Sequence, residues 1–107
     1  MPLRTALLSL VASGLATVPA LAVDLVMRND KNVPMILLEF EVSGSGKWDS
    51  ILGPGSSVAP GASYTLNVLL EDCRFDFWAA FADKTEASAY GVDTCGGEDS
   101  VVIPLGH

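Results

Sequence analysis

The sequence of 107 residues contains a single histidine, and it is the last residue, His107. Nucleophilic catalysis by serine or cysteine needs a positioned base beside the nucleophile. A terminal residue is poorly held, so no such constellation can be assembled. Basic residues are also scarce, six against thirteen acids. That balance excludes nucleic acid and anionic lipid as partners, because binding either requires cations that neutralise phosphate. The glycines are scattered through turn segments and form no phosphate-cradling loop, so no cofactor is implied. No spacing of carboxylates singles out a general acid and base pair. The chain therefore reads as a non-enzymatic protein.

The first residues are set apart from the rest. Met1 to Arg4 is a short basic start, "TALLSLVASGLATV" is an apolar run, and "PALA" places small residues at Ala20 and Ala22. This is the three-part pattern of a secretory signal, with cleavage expected after Ala22. The apolar run is short for a membrane span, and polar residues follow at once. There is no twin arginine and no cysteine after the cleavage point, so the expectation is the general export route to the periplasm or beyond, with no membrane attachment after cleavage. Residues 1–22 are thus assigned as signal peptide and 23–107 as one small domain. Arg4 leaves with the signal, and five bases against thirteen acids give the mature chain a net charge of −8.

In the mature chain the apolar residues recur with a period of two, between clusters of Gly, Pro, Asn, Asp and Ser, which reads as all-β. The first strand is placed at Asp24 to Arg28. In "VPMILLEFEV", Ile36, Leu38, Phe40 and Val42 fall on one face and Leu37, Glu39 and Glu41 on the other. Pro34 cannot donate to a ladder and marks a strand start or an edge. "SGSGKWDS" reads as a loop carrying Trp48, "ILGPGSSV" as at most a short irregular strand, and "APGAS" as a turn. "YTLNVLL" alternates with Tyr64, Leu66, Val68 and Leu70 inward, and "SVVIPL" with Val101, Ile103 and Leu105 inward. Six or seven short strands of this kind predict a small immunoglobulin-like antiparallel β-sandwich, with a small barrel as the alternative.

The only two cysteines, Cys73 and Cys95, bracket "CRFDFWAAFADKTEASAYGVDTC". In an exported small domain they read as a structural disulfide rather than a redox or metal pair. Redox pairs usually sit close together as Cys-x-x-Cys beside a helix start. A closed loop of this length is worth about 3 kcal/mol in the chain-entropy model. If Cys73 lies directly opposite Cys95, the hairpin register sets Phe81 against Ala87, Ala79 against Ala89 and Phe77 against Gly91, so that large residues meet small ones. The reverse face then pairs Trp78 with Tyr90, Ala80 with Ser88 and Asp76 with Val92.

Two candidate sites follow from that register. Glu71, Asp72, Asp93, Glu98 and Asp99 gather at the cysteine end, a set of oxygen ligands of the type that hard cations such as calcium take, although no twelve-residue calcium loop is present. Trp78 and Tyr90 lie away from the Phe75, Phe77 and Phe81 core, and Trp48 sits in a glycine-rich loop. Aromatic residues in such positions are the usual anchors of protein interfaces. The primary expectation is capture of a protein or envelope component through Trp48, Trp78 and Tyr90, with the cation module as the alternative.

The order Asn29, "KWDSILG", "APGAS", "CRFDFWAAFAD" and "GVDTC" resembles a group of small exported proteobacterial proteins of unassigned role. These typically show an Asn-rich turn, a Trp-Asp or Trp-Gly loop followed by Leu-Gly, a Pro-Gly turn, and a Cys-x-Tyr/Phe-Asp strand closing on a second cysteine. One departure is Lys84, where those proteins commonly carry glycine. Members are sometimes called Tat pathway signal protein or argininosuccinate lyase. That lyase is a long helical enzyme whose length and catalytic residues are absent here. The resemblance implies the fold and export, and adds no activity.

Overall fold

The computed structural model describes residues 22–69 and 71–106. The leader assigned to residues 1–22 falls, apart from Ala22, outside the described residues, as do Leu70 and His107. Seven strands and no helix are present among the described residues: β1 Ala22–Asn29, β2 Met35–Val42, β3 Asp49–Ser50, β4 Ser63–Leu69, β5 Arg74–Phe81, β6 Glu86–Asp93 and β7 Ser100–Leu105. They form two sheets, β4-β1-β7 and β3-β2-β5-β6, stacked as a sandwich. Alternation along β1 turns Val23, Leu25, Met27 and Asn29 inward, and β7 adds Ile103 and Leu105. Against them the larger sheet packs Met35, Leu38, Phe75, Phe77, Ala79 and Phe81. Burying a side chain of this size contributes about 1.5–3 kcal/mol, so this one cluster supplies most of the driving force for folding. Phe40 joins it half-buried, its ring 6.1 Å from Phe75 and 6.5 Å from Phe77.

Three features depart from simple alternation. First, β7 runs parallel to β1, with Leu25 opposite Val101 and Met27 opposite Ile103, so one ladder breaks the antiparallel expectation. Parallel neighbours need a long connection between them, and here the intervening strands provide it. Second, a bulge between Met35 and Leu37 leaves Ile36 without a cross-strand partner. Ile36, expected inward, is 44% exposed, while Met35 takes its inward place beside Phe81. Val42, also expected inward, lies at the end of the core and is exposed. Third, the β5–β6 hairpin carries two one-residue slips.

The disulfide forms with its Cα atoms 5.1 Å apart, but Arg74 already pairs with Asp93 because Thr94 is inserted between Asp93 and Cys95. Thr94 is buried and donates both its N–H and its hydroxyl to the Cys73 carbonyl. Farther along, Tyr90 and Gly91 together face the single Asp76, and beyond them Phe77 meets Ala89, Trp78 meets Ser88 and Ala79 meets Ala87. The expected pairs of Phe77 with Gly91, Phe81 with Ala87 and Trp78 with Tyr90 are therefore displaced by two residues. An even displacement keeps every side chain on its expected face, and Phe77, Ala79 and Phe81 remain buried.

At the tip, the Lys84 N–H bonds to the Phe81 carbonyl and the Phe81 N–H to the Thr85 carbonyl, which places Lys84 at φ +68°. A left-handed conformation costs a side chain about 1–2 kcal/mol, part of which glycine loses again in chain entropy. Hydrogen bonds from the Thr85 hydroxyl and N–H hold the neighbouring Asp83 carboxyl below its ordinary range, with Lys31 adding to the effect. Lys31 also lies over the Phe81 ring, 5.4 Å from its centroid. Gly106, just past β7 at φ +88°, fits against the same two residues. A Cβ there would lie 2.5 Å from Lys31 Cγ and 2.8 Å from the Phe81 ring.

Asn29 joins these parts. It is fully buried; its Nδ2 donates to the carbonyls of Val33 and Val58, and its Oδ1 accepts from the Lys31 N–H, all at 2.9 Å. Its own backbone exchanges bonds with Ala62 and Gly61. Replacing Asn29 by Ala is expected to lower unfolding free energy by about 2–4 kcal/mol, since the buried Val58 carbonyl and the part-buried Val33 carbonyl and Lys31 N–H lose their partners. Asn29→Asp should cost at least as much, because a carboxylate cannot donate to two carbonyls. Urea denaturation of both variants measures this. In the same assay Lys84→Gly should stabilise by about 1 kcal/mol.

Candidate functional site

The outer face of the four-stranded sheet collects the aromatic residues singled out from the sequence. Across the sheet, Glu39 of β2 lies opposite Trp78 of β5, which lies opposite Ser88 of β6. On one side of this row, Leu37 faces Ala80 and Ala80 faces Glu86. On the other, Glu41 faces Asp76, and Asp76 faces the Tyr90–Gly91 bulge. Trp48 immediately precedes Asp49, the partner of Phe40, and so sits at the register position beside Glu41. Tyr90 is 70% exposed, Leu37 43% and Trp48 38%. Trp78 is half-buried and donates its indole N–H to Glu86 Oε1 at 3.2 Å. Trp78 and Tyr90 thus occupy one face, with Trp48 in the loop at its β3 edge, although Trp78 pairs with Ser88 rather than Tyr90.

Two carboxyl groups on this face, those of Glu41 and Asp76, belong to residues only 6% exposed. Buried charge is costly unless hydrogen-bonded, and the loop after β2 supplies the donors. Ser43 Oγ donates to Asp76 Oδ1 at 2.7 Å, and the Gly46 N–H donates to Glu41 Oε1 at 2.8 Å. From the other strand, the Gly91 N–H donates to Asp76 Oδ1 at 2.8 Å. Gly91 stands at φ +63°, a conformation that glycine adopts without strain and that suits a bulge. The Gly91 bond, then Ser43, hold the Asp76 carboxyl below its ordinary range against the opposing effect of burial, with smaller contributions from Glu41 and the Gly44 N–H. Asp76 therefore ties together the loop that carries Trp48, the strand that carries Trp78 and the bulge that carries Tyr90. Sequence reasoning did not select it, although an aspartate inside "FDFW" interrupts an otherwise apolar strand.

The carboxylates proposed for a cation do not converge. Glu71, Asp72, Asp93, Glu98 and Asp99 are all exposed, and among the described residues no three acidic, cysteine or histidine side chains form a metal-binding group. Asp93 turns back to accept the N–H of Cys95 at 2.9 Å. Asp99 leads the chain across to the other sheet, where its carbonyl accepts the Asp24 N–H. The disulfide itself is exposed and acts as a clasp at the bulged end of the hairpin. Such bonds persist in oxidising, non-cytoplasmic compartments.

The lowered pKa of Asp76 fixes a sign for the pH dependence. A carboxyl that is more acidic in the folded state contributes stability above its unfolded pKa of about 3.9 and loses it as pH falls through the folded value. Asp76→Asn is therefore expected to melt below the parent protein at neutral pH, with the gap closing as pH falls below about 4. Melts followed by circular dichroism across that range measure it, and a gap independent of pH would remove the ionised carboxyl from the account. No protein-family model, curated protein or solved structure matches the chain, so the functional reading rests on this face.

Proposed function

We propose that this chain is an exported, non-enzymatic binding module, periplasmic or secreted, which captures a protein or envelope component on the outer face of the β3-β2-β5-β6 sheet. One observation carries the reading: Trp78 and Tyr90 share a single open sheet face with the exposed Leu37, and the exposed Trp48 stands in the loop at its β3 edge. Aromatic side chains supply large contact area at low entropic cost and dominate interface energetics. The loop and the bulge that present them are fixed through Asp76 instead of being left mobile, which lowers the cost of ordering on association.

The disulfide supports the export part of the reading, as does the leader-like pattern of residues 1–22. A photo-crosslinking residue at position 90 is expected to trap a discrete partner in cells that make the protein, and Trp78→Ala should abolish that product without lowering the amount of folded protein. The same probe at Thr65, exposed on the opposite sheet, should give no such product. Equal labelling from both positions would sink the proposal.

A further inference from the structure

Resting on the binding face just proposed, we infer that the partner presents a basic extended segment, and that an arginine of that segment seats on Trp78 between Glu39 and Glu86. The indole is flanked by carboxylates on both neighbouring strands. Glu86 accepts its N–H from the β6 side, and Glu39 lies directly across on β2. Glu39 is half-buried, and its side chain makes no hydrogen bond or ion pair among the described residues. A partly desolvated carboxylate without a cation, beside an aromatic ring, is the arrangement that a guanidinium completes. Its plane stacks on the indole, and its fork of N–H donors reaches carboxylate oxygens on either side.

Charge separates this occupant from others. Bases near the face are turned elsewhere, Arg74 toward the Gly91 carbonyl and Lys31, in the cleft beside Glu86, toward Asp83, and the chain carries −7 overall. A second copy laid face to face would set Glu39 and Glu86 against their like, and phosphate-bearing surfaces are repelled in the same way. A neutral apolar segment would bury Glu39 and leave it unpaired.

The chain has two tryptophans, Trp48 and Trp78, and both belong to this face, so intrinsic fluorescence reports on it directly. The protein is titrated with a short peptide alternating arginine and serine, and with counterparts carrying lysine, glutamine or glutamate, at low and high ionic strength. Expected is a saturable spectral change with the arginine peptide, weaker with lysine, absent with glutamine and glutamate, and suppressed by salt. Glu39→Gln should weaken arginine-peptide binding about tenfold while melting like the parent protein, and Glu86→Gln should weaken it as well. Equal response to the arginine and glutamine peptides, or unchanged affinity in Glu39→Gln, overturns the basic partner. No response to any peptide overturns it too. In each of these cases the crosslink at position 90 decides the binding face independently.

Discussion

The buried amide of Asn29 is the interaction on which the sandwich depends. A sheet sandwich must join its layers by segments whose backbone groups end up indoors, and each of those groups needs a partner. Asn29 stands at the end of β1, where the turn into β2, the segment around Val58 and the turn into β4 all meet, and its side chain bonds two of these segments at once. Asp30 continues the joint by donating its N–H to Leu105 of β7. The apolar core pulls the sheets together without direction. The amide fixes which connecting segments lie where, and hence how β2 enters the larger sheet beside β5.

Asp76 has the corresponding role on the outer face, with a carboxylate in place of an amide. Both residues are polar groups placed where alternation alone would tolerate any compact side chain, and both gain their effect from bonds to backbone in irregular segments. The difference lies in what they organise. Asn29 organises the packing between sheets, and Asp76 organises the presentation of Trp48, Trp78 and Tyr90. The face is therefore rigid at its acidic end, under the Ser43–Gly46 loop, and open where Leu37, Glu39 and Glu86 lie.

Alternation made the strands, the two-cysteine hairpin and the inward sets of β5 and β7 legible in advance, because burial of every second residue leaves a direct mark on composition. The bulges left no such mark. Thr94 and the Tyr90–Gly91 pair each shift the ladder by one, and two shifts restore the parity by which faces are read, so the aromatic residues were assigned to the correct face through an incorrect register. Ile36 shows the opposite case, a single bulge that carries one apolar residue outward while Met35 replaces it. The acidic rim is a different case. Proximity to the cysteines in sequence did not translate into convergence, since Asp93 is used by its own turn and Asp99 lies just before β7, its carbonyl bonded to β1. Glu39 is an ordinary outward residue in the sequence and becomes conspicuous only because no ion pair reaches it among the described residues.

The parallel pairing of β1 and β7 bears on the order in which the molecule assembles. The β5–β6 hairpin is built from contacts close in sequence, and its disulfide can close as soon as Cys95 has been delivered. The smaller sheet instead joins the first described strand to the last, a contact of high sequence separation whose formation is slow. Until β7 arrives, the backbone N–H and C=O groups along that edge of β1 lie open, and an open strand edge invites pairing with other chains. The stapled hairpin is the part suited to form early and act as a template, while the edge most exposed to misassociation is the one covered last.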